Sequence, residues 1–177
     1  MLGEKMKTVL ISLLLSIFLS TIALASDDPK WSELNNLFGK KISSPEVKKL
    51  VKIHNLLKAA KGDSGSFSPK NMAYSLMFRG NAISTIILKT SPWPEGSGEK
   101  HWREFKGELP AKIKRTHLRK DIIEMFGKSH TKKGDTWISE DLKIWIFFNE
   151  NTGTVDELCI SKGHFETPNL QDTRKNE

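Results

Sequence analysis

A single cysteine, Cys159, in a chain of 177 residues excludes an intramolecular disulfide, and the chain has no His/Cys cluster of the kind that builds structural zinc sites. Burial of apolar side chains must therefore hold the fold. Cys159 lies between Leu158 and Ile160 in a strand-like run. That is the setting of a packed thiol, since a nucleophilic one needs a cation or helix N-terminus to lower its pKa. Catalytic signatures are missing as well. There is no G-x-S-x-G turn to expose a serine. The five histidines, His54, His101, His117, His130 and His164, stand one per segment, and none has the i, i+4 spacing of a helical metal site. Gly127-Lys128-Ser129 resembles the end of a phosphate-binding loop, but Ile122 stands where that loop needs glycine, so the triplet reads as a helix end. Asp156-Glu157 follows a turn, where neighbouring acids form a solvated face. The expectation is a protein without catalytic residues, metal or cofactor.

Long apolar runs are missing too, with one exception. Lys5 and Lys7 precede the aliphatic stretch Val9 to Ile22, and Ala23-Leu24-Ala25 supplies small residues at a cleavage position. The stretch is short for the ~20 residues that a membrane span needs. Residues 1–25 therefore read as a cleaved signal peptide, and no cysteine follows it to take a lipid. The expectation is an exported, periplasmic protein with no transmembrane span after cleavage. Removing Glu4, Lys5 and Lys7 leaves 26 Lys and Arg against 20 Asp and Glu, about +6. Basic clusters occur at Lys112 to Lys120 and Lys128 to Lys133, without the stacking aromatics or module pattern of a nucleic-acid binder. An acidic protein surface is the expected kind of partner.

What remains has the size of one domain, and its second half repeats the pattern of the first. Ser44, Pro45 and Glu46 open a helix as cap, first-turn proline and dipole-favoured acid, with Val47, Leu50, Val51, His54 and Leu57 on its apolar stripe. Lys61 to Asn71, rich in Gly, Ser and Pro, reads as a loop. Tyr74 to Phe78 alternates at period two, Gly80-Asn81 signals a tight turn, and Ile83 to Leu88 returns. Roughly 70 residues later the order recurs. Thr116 caps a helix through Leu118, Ile122, Ile123 and Phe126; Trp137-Ile138 begins a strand; Leu142 to Phe148 and Val155 to Ile160 form a second hairpin. Because Trp145 and Phe147 make its second face apolar too, Leu142 to Phe148 reads as a central strand. The expected fold is α+β, two tandem helix-loop-antiparallel-hairpin units (about 28–90 and 105–162) in one domain of residues 26–162. Matching core positions should be Phe78 with Phe148, Ile83 with Val155, and Val51 with Ile122. Residues 163–177 read as a flexible tail.

Between the units, Thr90 to Pro110 concentrates Pro, Gly and aromatic residues. Exposed aromatics anchor interfaces, so Trp93, Trp102 and His101 are the candidate anchors, with Lys100 and Arg103 steering an acidic partner.

Two successive units of this kind over Val47 to Ile160 resemble the tandem fold of secreted β-lactamase inhibitor proteins. Each unit, with a helix such as Leu118-Arg-Lys-Asp-Ile-Ile-Glu-Met-Phe-Gly-Lys128 ahead of its strands, is similar to the small lipoprotein subunit of the outer-membrane β-barrel assembly machinery. Phe105-Lys-Gly-Glu-Leu-Pro110 ahead of that helix resembles small bacterial proteins encoded beside toxins as immunity partners. The chain departs from the first in having one cysteine and from the second in having none to lipidate. The resemblance implies an exported binding protein, an immunity or inhibitor protein that neutralises a toxin or lytic envelope enzyme by protein contact. An envelope assembly or scaffold factor is the alternative, and an unrecognised hydrolase the third reading.

Overall fold

A computed structural model describes residues 28–92, 102–130, 135–139 and 141–163. The expected signal peptide, residues 1–25, and all but the first residue of the expected tail lie outside the described residues. The architecture is α+β. A short helix, α1 (Trp31–Asn35), precedes α2 (Pro45–Ile53), followed by β1 (Leu57–Lys61), β2 (Ser64–Ser68), β3 (Tyr74–Arg79) and β4 (Ala82–Lys89). After a 3-10 turn at Pro110–Lys112 come α3 (Arg119–Phe126), β5 (Thr136–Ser139), β6 (Leu142–Phe148) and β7 (Val155–Lys162). All seven strands form one antiparallel sheet in the order β1-β2-β3-β4-β7-β6-β5.

Local chemistry explains most of these boundaries. The Ser44 hydroxyl accepts from the Val47 amide, and Pro45 occupies the first turn of α2. Glu46 stands beside them, its pKa held below the usual carboxylate range by a backbone hydrogen bond and by Lys40. The helix stops at Ile53, short of the expected Leu57, because Asn55 turns left-handed (φ 48°) and leads Leu56 into the core. The cap of α3 is also displaced from Thr116. Leu118 takes the cap position, and its amide donates to Asp121 at 2.8 Å. Gly127 closes that helix at a positive φ (78°) that favours glycine, its carbonyl accepting from the indole of the buried Trp137 at 2.9 Å. Gly80 and Asn81 both have positive φ, the two-residue turn that matches the twist of a hairpin.

The Lys61 to Asn71 stretch is where the fold departs most from its sequence reading. Much of it is ordered as the β1–β2 hairpin. The residues that look like loop composition have a packing role. A Cβ on Gly65 would stand 2.2 Å from the Ala59 carbonyl oxygen and 2.8 Å from the Phe78 ring, so only glycine lets β1, β2 and that ring approach.

One face of the sheet carries the core. Tyr74, Leu76 and Phe78 of β3, Ile83, Ile86 and Leu88 of β4, Ile144 and Ile146 of β6, and Val155, Leu158 and Ile160 of β7 are all buried there. Leu34, Val47, Leu50 and Ile122 from the three helices join the same cluster. Of the paired positions expected from the repeat, Phe78, Ile83, Val155 and Ile122 are buried, whereas Val51 and Phe148 are half-buried against the cluster. The two middle strands meet with Ile86 opposite Ile160 and Leu88 opposite Leu158, all four at 0 % exposure.

Gly65→Ala should therefore lower stability by about 1–3 kcal/mol through overpacking, even though alanine is compatible with a strand backbone. Urea unfolding checks it; an unchanged midpoint would mean that the three-way approach at Gly65 is looser than described.

Candidate interaction surface

Among the described residues, no helix covers the opposite face of the sheet. Along each strand the residues between core positions point to this side, and the registers align them into rows. Ser75, Ile87, Cys159, Trp145 and Thr136 follow one another across β3, β4, β7, β6 and β5. Lys89, Glu157 and Phe147 form a shorter row beside it. Phe147 is 53 % exposed, Met77 40 % and Leu57 63 %. The apolar second face of β6 is thus surface. The strand is internal to the sheet, as its sequence implied, but only its Leu142, Ile144 and Ile146 side is buried. Lys143 Nζ lies 4.6 Å from the centre of the Trp145 ring, so the indole is partly shielded by a cation.

Trp102 joins this face from the linker. The amide of Arg103 donates to the Asn71 carbonyl and that of Phe105 to the Lys89 carbonyl, carrying residues 102–105 across the ends of β3 and β4. Phe105 enters the core against Tyr74. Trp102 is half-buried with Lys89 Nζ 3.4 Å from its ring centre. Lys89 also pairs with Glu157. Burial outweighs the pull of Asp156 and brings the Lys89 pKa down to about 8, and burial likewise raises that of the neighbouring Cys159 thiol. Cys159 is half-buried and lies opposite Trp145 and Ile87, a packed thiol in a raised-pKa environment.

Of the five residues expected to form the binding site, Trp93, Lys100 and His101 lie outside the described residues. Trp102 and Arg103 are described, and they serve different places. The Arg103 guanidinium bonds Asp28 at 2.5 Å and the Glu104 carbonyl, while Asp28 also accepts from the Lys106 amide at 2.6 Å. Its charge is largely neutralised inside the chain, which weakens it as a steering group for an acidic partner. It borders a polar cleft of about 470 Å³ with His54 and Tyr74. The Tyr74 hydroxyl has no hydrogen-bond partner among the described residues, and burial first, then Asp28, raises its pKa. No group of three or more His, Cys, Asp or Glu among the described residues is placed to hold a metal ion.

Sequence reasoning kept a sheet face as an alternative binding surface without locating it. Its signal was the Trp145 and Phe147 alternation in β6, which reads equally as a second buried face. It kept the Lys61 to Asn71 loop as another alternative, but not the groove of about 710 Å³ at the β1 edge, lined by Leu57, Ala59, Ser66, Ser68 and Met72, because Leu57 reads as part of the helical stripe and Ser64 to Ser68 as loop.

The Lys89 environment sets a pH dependence of definite sign. Its folded pKa, about 8, lies below its ordinary 10.5, so the folded state gives up the proton first. The cost of burying the ammonium is present in full below pH 8 and is relieved as pH rises from 8 to 10.5, where the unfolded chain holds more protons. Urea midpoints at pH 7, 8.5 and 10 should therefore show Lys89→Met losing ground to the parent protein as pH rises. Parallel curves would contradict the burial account. Cys159 should react slowly with DTNB at pH 8 until the chain is unfolded.

No family model matches this chain, and no curated protein matches it. A cysteine-rich secretory protein (SAV1118) from Staphylococcus aureus subsp. aureus Mu50, known from its crystal structure, is a distant structural neighbour at 10 % sequence identity and a TM-score of 0.48. The match covers 73 % of this chain and 44 % of that one, so it spans less than half of the neighbour's length.

Proposed function

We propose that this is an exported binding protein of the immunity or inhibitor kind, which neutralises a cognate toxin or lytic envelope enzyme by covering it with the helix-free face of its sheet. The observation that carries this reading is that face, with Phe147 exposed, Trp145 next to it along β6, and Met77 exposed three strands away on the same seven-stranded sheet. Large aromatic groups on rigid strands supply contact area at little entropic cost, and single exposed aromatics concentrate binding energy. Export rests on the Lys5 to Ala25 pattern. An interface here has no need of a disulfide or a cofactor.

The repeat belongs to the same proposal. The two hairpins both change register at a phenylalanine, Phe78 opposite Ile83 and Phe148 opposite Val155. The chain ahead of α2 bridges to the start of β4 (Lys41 with Ala82), and the chain ahead of α3 bridges to the start of β7 (Leu118 with Thr154). These correspondences support a duplicated unit in which β2, β3 and β4 answer β5, β6 and β7, with β1 added to the first copy. Linked copies place twice the sheet surface on one side, which suits a contact protein.

A strain lacking the gene should become sensitive to a toxin-secreting neighbour, and the parent gene should restore resistance. Phe147→Asp should fold with a melting temperature close to the parent's, since the ring is mostly in water, yet weaken binding of the captured toxin by about 2 kcal/mol or more. Equal resistance with and without the gene refutes the immunity reading; intact binding by Phe147→Asp moves the interface off this face.

A further inference from the structure

The two edges of the sheet are not alike. At β5 the chain covers its own edge: the Ser129 hydroxyl bonds both the amide and the carbonyl of Thr136, and the His130 amide donates to that same carbonyl. Thr136 and Trp137 are each 1 % exposed. At β1 every residue from Leu57 to Lys61 is exposed, and among the described residues no backbone hydrogen bond reaches the strand except from β2. A fully exposed edge strand is a template for another strand unless something repels it.

Charge selects what can pair there. Residues 40–72 contain eight lysines against Glu46 and Asp63, whereas residues 135–162 contain six acids against Lys143 and Lys162. The β1 end of the molecule is the basic end. Lys58, Lys61 and Lys70 surround the edge, and Lys58 folds back to 5.5 Å from the Phe78 ring, which leaves the small Ala59 and Ala60 uncovered in mid-strand. Beside them the mainly apolar groove of Leu57, Ala59 and Met72 faces the helix-free side. A second copy offering its own β1 would bring lysines against lysines, and one offering β5 would have to break the Ser129 and His130 bonds first.

We infer that the β1 edge binds an extended acidic segment of a partner protein as an eighth strand, with alternate apolar side chains seated in the groove beside Leu57 and Ala59, carboxylates on the other face meeting Lys58, and Lys61 and Lys70 at the ends of the groove adding to the attraction. This rests on the binding reading above and names the partner's chemistry. Backbone pairing supplies affinity in such strand addition, the groove supplies side-chain selection, and the lysines supply the sign.

The probe is a blocked octapeptide of alternating Val and Glu, added to the full-length mature protein and followed by amide hydrogen exchange. Exchange at Leu57 to Lys61 should slow as the peptide saturates the edge, and the effect should fade with added salt. Lys61→Glu/Lys70→Glu, at two exposed positions, should keep its melting temperature and lose about tenfold in peptide affinity, the effect of two rim charges. The inference is overturned if β1 exchange is unmoved at millimolar peptide, or if a Val-Lys octapeptide protects it equally. It is also overturned if protection appears only around Phe147, or if sedimentation shows the free protein already paired through β1. A failure here with partner binding still sensitive to Phe147→Asp removes the edge and leaves the binding reading standing. The reverse result removes the sheet face and keeps the edge.

Discussion

The contact between β4 and β7 is the constraint on which the rest depends. These strands are remote in sequence, and their pairing alone joins the four strands β1–β4 to the three strands β5–β7 in one sheet. Its core-side pairs, Ile86 with Ile160 and Leu88 with Leu158, exclude water completely. Joining remote segments costs loop-closure entropy, which the chain must recover from apolar burial because it has no disulfide. The register of this seam also decides which side chains share a face. A shift of one residue would set Ile87 and Lys89 of β4 on the side where β7 presents Leu158 and Ile160, and turn Ile86 and Leu88 away from the core. The covered face, the open face and the placement of every helix follow from that single alignment.

Much of this was legible where hydrophobic period and turn chemistry agree. Ser44-Pro45-Glu46, Gly80-Asn81 and the alternation of Tyr74, Leu76 and Phe78 each have one good structural solution, and the fold adopts it. The β1–β2 hairpin escaped because its sequence, Leu57 to Ser68, contains only Phe67 as a buried side chain; a strand at an edge has too few core contacts to impose alternation. Gly65 counts toward a loop by composition when its role is close approach, a distinction visible only once Ala59 and Phe78 are in place. Thr116 lost its expected role because Asp121, one turn inside α3, reaches back to the Leu118 amide and makes a cap two residues later.

The candidate site was less legible than the fold, for a related reason. Period two reports which residues lie on opposite faces, but it does not report what covers a face. Lys143, Trp145 and Phe147 look the same in sequence under a second layer or under water. The linker posed the converse problem. Trp102 was singled out as an aromatic in a Pro- and Gly-rich segment, yet its position depends on the Arg103–Asn71 and Phe105–Lys89 backbone bonds, which send successive side chains to the open face, the Asp28 corner and the core. No local pattern encodes that division.

Lys89 shows how the open face can be polar and apolar at once. An ammonium half withdrawn from water is costly, and here it is set between the Glu157 carboxylate and the Trp102 ring face. Each neighbour recovers part of the lost hydration, one through charge and the other through its quadrupole. The arrangement fixes Trp102, half-buried, across the end of β4 while its linker stays anchored. Removing the charge would leave Glu157 unpaired beside Phe147 and Trp145, and the face would exchange a balanced polar border for a bare carboxylate. Internally satisfied charges of this kind are less costly to strip of water than isolated ones, because each already meets its counter-charge within the chain.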